Sequence, residues 1–201
     1  MMLKKMLSKF LLTGSSARKL KRTGANLLGG RARMARMFPL VSAELPAPDW
    51  PRLLQYGGLP GIVTSPEPWL DLRAYVDTYL KEEIEQEAQV RSLTHFSRFL
   101  KGAALQSSEL LNYAGISSDS QVPESTVRSY YQILEDTLLG QVVEPFRATK
   151  KRKAIQTAKF YLFDCGVTHA ILGQRSVERH SPQYGRALEQ WIFMELRAFL
   201  S

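Results

Sequence analysis

Apolar residues recur at helical spacing from Leu70 to about Ser92, where Leu72, Val76, Tyr79, Leu80 and Ile84 share a face. Glu82, Glu83, Glu85 and Glu87 lie mostly elsewhere and read as a solvated helix face rather than a metal site, and Pro66 and Pro68 precede the helix. Phe96, Phe99 and Leu100 predict a helix over Thr94 to Ala104. The next helix carries Leu110, Leu111 and Ala114, with Ser107 or Ser108 as cap and Gly115 as stop. After a turn at Ser117 to Gln121, Pro123, Glu124 and Ser125 have first-turn chemistry and open a helix to about Leu139. Val127, Tyr130, Tyr131, Leu134 and Leu138 supply its buried face. Gly140 ends it, and Val142 to Phe146 and Lys159 to Phe163 read as two strands joined by a basic loop, Arg147 to Lys153. A final helix from about Gly185 carries Leu188, Trp191, Ile192, Glu195 and Leu196 in one stripe.

The part before Leu70 is less regular. Lys9 to Thr13 reads as a short buried strand ending in the turn Thr13-Gly14-Ser15-Ser16, and Ser16 to Gly24 as a short basic helix closed by its glycine. Pro39, Pro46, Pro48 and Pro51 predict loops and short helices, and Gly57-Gly58-Leu59-Pro60-Gly61 a turn-rich loop. The fold class is therefore α+β and mostly helical. Three helices followed by a two-stranded hairpin is the element order of a winged helix-turn-helix.

Composition narrows the function. An apolar fraction of 44% suffices for a core. The single cysteine, Cys165, requires no oxidising compartment, and three histidines at His95, His169 and His180 give no zinc pattern. Of the +8 net charge, residues 1–36 contribute ten basic and no acidic side chains, which suits phosphates on nucleotides or nucleic acid and equally a solvated basic end. The apolar run Phe10-Leu11-Leu12 is too short for a secretory signal, although an acid-free amphipathic start is also transit-peptide-like. No stretch approaches the ~20 apolar residues of a membrane span, so a cytoplasmic protein without membrane contact is expected.

The motifs of ATP hydrolysis are missing from the sequence, and the residues of a Ser-His-Asp triad are present without a pattern that places or excludes one. No G-x-x-x-x-G-K-[ST] loop occurs to cradle phosphates, no apolar strand ends in paired acids to hold magnesium, and no G-x-S-x-G elbow presents a serine. Cys165 and His169 form an i, i+4 pair only if their segment is helical, and a preceding strand and Gly166 argue against a dyad. The winged-helix pattern offers a concrete surface instead. A recognition helix reads the major groove near its N-terminus, with phosphates held by basic groups nearby. Ser125, Arg128, Ser129 and Gln132 face outward if Val127, Tyr131 and Leu134 face in, and Lys150, Lys151, Arg152 and Lys153 sit on the wing. Winged helices also serve as protein-interaction modules.

Several stretches together resemble the AAA-type ATP-binding proteins that carry a C-terminal DUF4143 domain. Phe10 to Leu20 and Asn26 to Ala32 resemble the sensor-1 strand and its continuation, and Tyr79 to Ile84 and Leu134 to Gly140 resemble the signature helices. Lys159 to Val167 and Gly185 to Glu189 resemble later blocks. The resemblance implies that residues 1–64 are the C-terminal remnant of a P-loop ATPase domain, 65–92 a connecting helix, 93–163 the winged helix and 164–201 the truncated start of a nuclease-like region. It places Thr13 and Ser15 at a nucleotide-sensing position and Glu189 where a nuclease-like domain has a helical glutamate, here read as an ordinary one. The family's P-loop and acidic strands would lie before Met1 and after Ser201, so the expectation is a non-catalytic fragment with a DNA-binding module. The alternative is an interaction or remnant protein with no DNA binding. ATP and magnesium are expected only for the full-length family, and no cofactor for this chain. Its expected partners are double-stranded DNA, a protein, or the missing ATPase half.

Overall fold

The computed structural model describes residues 35–80, 92–146 and 157–201. The expected strand at Lys9 to Thr13, the helix at Ser16 to Gly24 and the basic loop at Lys150 to Lys153 lie outside the described residues, as do Thr13 and Ser15. The described chain is α+β and mostly helical, as its periodicities predict.

The proline-rich segment does form a turn and short helices. A 3-10 turn at Ser42–Glu44 leads to α1 at Trp50–Tyr56, α2 at Pro60–Val63 and α3 at Pro68–Ala74, each with proline in its first turn. A π-helical turn, Tyr75–Leu80, extends α3. Leu72, Val76 and Leu80 are buried as their spacing predicts.

Then come α4 at Leu93–Leu105, β1 at Glu109–Leu110, α5 at Tyr113–Ser120 and α6 at Glu124–Asp136. Strands β2 at Gly140–Val143 and β3 at Lys159–Leu162 follow. The sheet order is β1-β3-β2, antiparallel throughout, with Leu110 opposite Lys159 and Val142 opposite Phe160. Along β3, Phe160 and Leu162 point into the helical core while Tyr161 points to the opposite face and stacks on Phe193 at 4.1 Å.

Two sequence expectations fail here for one reason. Ser107 and Ser108 do not cap a helix, because the backbone beyond them pairs with β3: Ser108 donates to Phe160 O and Leu111 to Ala158 O. The helix starts later, at an Asn112 cap whose side chain accepts from Gly115, so Gly115 lies in its first turn rather than at its end. Likewise Gly140 opens β2 instead of closing α6, which ends at Asp136. A Cβ at Gly140 would meet the Phe160 ring at 2.5 Å.

The chain then forms α7 at Cys165–Leu172 and α8 at Pro182–Phe199. Six consecutive residues of α7, Cys165 to Ala170, are buried, so this helix is the centre on which α1, α3, α4 and α8 pack. In α8 the inward face is Ala187, Gln190, Trp191 and Met194, whereas Leu188, Ile192 and Leu196 of the expected stripe are exposed.

Candidate functional site

The outward face of α6 follows from its inward one. Val127, Tyr130, Tyr131 and Leu134 fill the core, which leaves Ser125, Arg128, Ser129 and Gln132 exposed. Helix α5 precedes α6 across three residues, of which Gln121 takes a left-handed conformation (φ 56) and Val122 is buried. Arg128 therefore lies over α5, with its guanidinium 4.0 Å from the centre of the Tyr113 ring. It is also ion-paired with Glu124 at 2.6 Å. Ser129 donates to the Ser125 carbonyl and Gln132 to Asp136. Two acids absent from the sequence-based site thus engage this face, Glu124 beside Arg128 and Asp136 beside Gln132. At the preceding turn, Arg98 of α4 donates to the Gln121 side chain.

Charge elsewhere completes the surface. Residues 93–163 hold nine basic and six acidic side chains, and five of the nine fall in the stretch 147–153. In the sequence that stretch begins three residues after Glu144. The Tyr113 hydroxyl is held above its ordinary value chiefly by burial; Arg128 pulls it down, and Glu144 and Glu135 push it up. Glu144 and Glu135 thus put two carboxylates near the ring on which Arg128 stacks.

A second polar group is buried under α1. Asp164, 2% exposed, caps α7 by accepting from Val167 N at 3.0 Å and also accepts from Gly58 N at 2.8 Å. Burial raises its carboxyl to about 6, against the pull of these amides. Gly57 has φ +78, and a Cβ there would lie 2.0 Å from the Asp164 carboxylate. Because α7 is helical, Cys165 and His169 do stand at i, i+4. They remain apart chemically: the Cys165 thiol donates to Ala187 O and His169 Nδ1 bonds the Gln55 carbonyl. Burial pushes the thiol up and the imidazole down, so the thiol stays protonated and the ring neutral.

Glu189 is engaged with its own chain, 2.6 Å from Lys159 and 2.7 Å from the Tyr161 hydroxyl. Desolvation raises its carboxyl, but these two hydrogen bonds and the Lys159 charge together hold the group below its ordinary value. Among the described residues no group of three His, Cys, Asp or Glu could hold a metal. The recesses beside Asp164 and beside Gln190 have room for little more than water. No helix of the described residues is long and apolar enough to cross a membrane.

A family model described as a domain of unknown function, DUF8612, matches residues 47–178, from just before α1 to just after α7. The chain belongs to the DUF8612 family. This overturns the resemblance to AAA-type ATPases with a DUF4143 domain, and with it the ATPase remnant and nuclease-like start. Physically, several quoted blocks are local structural signals rather than nucleotide chemistry. Leu134 to Gly140 ends a helix and opens a strand, and Lys159 to Val167 is a strand followed by the Asp164 cap. The DUF8612 chain is 25% identical over 201 residues to the uncharacterized proteins Mb2031c of Mycobacterium bovis and Rv2008c of Mycobacterium tuberculosis, covering 96% of this chain and 45% of each relative. It is also 25% identical over 205 residues to an uncharacterized protein of Haemophilus influenzae, covering 92% of this chain and 50% of that one. The chain thus spans about half the length of the curated relatives it matches. No solved structure matches it.

Proposed function

We propose that residues 93–163 are a winged helix-turn-helix that binds duplex DNA, with α6 entering the major groove and the basic stretch 147–153 acting as the wing. It has no catalytic chemistry of its own in this reading. The order α4, β1, α5, α6, β2, β3 and the sheet order β1-β3-β2 support it. The observation that carries it is the exposed outer face of α6, where Arg128 stands over the Tyr113 ring of α5. The Arg128–Glu124 pair is exposed on both sides and worth only ~0.5 kcal/mol, so a phosphate or base edge can displace it. Stacking on Tyr113 keeps the guanidinium extended while that exchange occurs.

The acids Glu124 and Asp136 on the same face favour a second reading, a protein-interaction module with a basic partner. Duplex affinity measured against salt separates the two. The DNA reading expects steep loss of affinity with rising salt. Replacing Lys150, Lys151, Arg152 and Lys153 together by alanine should flatten the log–log slope by about 3–4 and weaken all sequences alike. Arg128→Ala should instead reduce preference among sequences, by ~1–3 kcal/mol at the best site. Absence of duplex binding by the whole chain at low salt would sink the DNA reading.

A further inference from the structure

The outer face of α8 is apolar without a described partner. Leu188 is 39% exposed, Ile192 49%, Leu196 54% and Phe199 86%, in one seam that begins at Gly185. A Cβ added at Gly185 would meet nothing within 4 Å, so the seam starts with an open notch and ends with its bulkiest side chain. These positions are symmetric about Ile192. Leu188 and Leu196 lie four residues to either side, and Gly185 and Phe199 seven. Such a seam matches itself when a second copy runs antiparallel across it: Ile192 meets Ile192, Leu188 meets Leu196, and Phe199 enters the notch over Gly185. A two-fold contact requires this reciprocity, in which i meets j and j meets i.

The two carboxylates beside the seam are already bonded within their own chain. Glu189 is held by Lys159 and Tyr161, Glu195 accepts from Ser42, and Arg186 is paired with Glu109. Arg197 packs on the Phe38 and Phe193 rings, so each charged side chain of α8 is engaged within its own chain. The exposed apolar area is on the order of 500 Å² per copy, at the upper end for a lone chain. Two copies face to face bury at most about 1,000 Å², the size of a weak, reversible contact.

We propose that the chain forms a two-fold dimer through antiparallel α8 helices, with Ile192 on the axis and Phe199 of each copy seated over Gly185 of the other. The contact is independent of DNA binding. Sedimentation of the full chain should show a monomer–dimer equilibrium within the micromolar to submillimolar range. Ile192→Arg should weaken it on the order of 100-fold. Gly185→Leu should also weaken it by filling the notch, while favouring the helix itself, so lost association cannot be blamed on lost folding. Register is read by cysteine cross-linking under mild oxidation, since the native Cys165 is buried. Ile192→Cys should cross-link to itself. Leu188→Cys and Leu196→Cys should each fail alone, because equivalent positions stand ~12 Å apart along the axis, yet cross-link when mixed. A monomer throughout the range, a dimer unaffected by Ile192→Arg and Gly185→Leu, or self-cross-linking of Leu188→Cys would each overturn the proposal.

Discussion

Asp164 is the residue on which the packing of α1 against α7 turns. Its carboxylate caps α7 through Val167 N and reaches Gly58 N across the interface, while Gly57 leaves the space for it. A Cβ at Gly166 would lie 2.0 Å from the Tyr56 carbonyl, so the two helices meet backbone to backbone at this point. Burial raises the Asp164 carboxyl from 3.8 to about 6. The sign follows from which state binds the proton more tightly. Between the two values the folded chain holds it and the unfolded chain has released it, so this group's contribution is fully present below the unfolded value and is lost as pH rises through about 6. Wild type and Asp164→Asn should therefore be compared at each pH, because their difference cancels the other carboxylates. Urea unfolding should show the wild type's stability relative to the variant falling by roughly 3 kcal/mol between acid and neutral pH. A difference that stays level over that range would show that the carboxyl titrates normally.

Helix α6 shows what an element inherits from its neighbours. Tyr131 is 2% exposed, and its ring meets Phe99, Tyr113 and Phe160 edge-on at 5.0, 5.5 and 4.7 Å. Its hydroxyl has no hydrogen-bond partner among the described residues, and burial drives its pKa well above the usual tyrosine value. The ring, not the hydroxyl, is then what holds α4, α5 and β3 around α6. Tyr131→Phe should leave stability unchanged or raise it by up to ~1 kcal/mol, because an unmet polar group leaves the core. Tyr131→Ala should cost ~3–5 kcal/mol by opening a cavity. Thermal unfolding of both variants checks the contrast, and a substantial loss for Tyr131→Phe would reveal a partner for the hydroxyl. The inward face of α6 was legible in the sequence because Val127, Tyr130, Tyr131 and Leu134 repeat with the helical period, and the exposure of Ser125, Arg128, Ser129 and Gln132 followed by exclusion. Strand β1 was not legible, since Glu109 and Leu110 are extended only because β3, some fifty residues away, supplies their partners. Nor was α7, whose residues are apolar all round and show no period. Tyr113 and Glu144 could not have been joined to Arg128 from spacing alone, because three separate elements bring them together.

Across the whole molecule, one buried amide bonds α8 to the sheet and to α7 at once. Gln190, 2% exposed, donates to the Leu162 carbonyl at 2.9 Å and to Thr168 Oγ1 at 3.0 Å, and accepts from Ser107 Oγ at 3.1 Å. Ser107 in turn accepts from Leu162 N. One side chain therefore connects the end of α4, the end of β3 and the start of α7 to the final helix. The bulky residues of α8 gave no hint of this, since Leu188, Ile192 and Leu196 form the more hydrophobic stripe and yet face outward. The surface pairs Lys159–Glu189 and Arg186–Glu109 run parallel to the amide but are partly solvated, and each contributes at most ~1 kcal/mol. The amide is different because every group it satisfies is buried. Gln190→Leu keeps the volume but strands the Leu162 carbonyl, and the expected loss is about 2–3 kcal/mol. If α8 docks chiefly through Gln190, the loss should be local. Hydrogen exchange in the variant should speed up in α8 and around Leu162 while α6 stays protected, since the Tyr131 cluster does not depend on the amide. Uniformly faster exchange would instead mean that α8 and the remaining helices unfold as one unit.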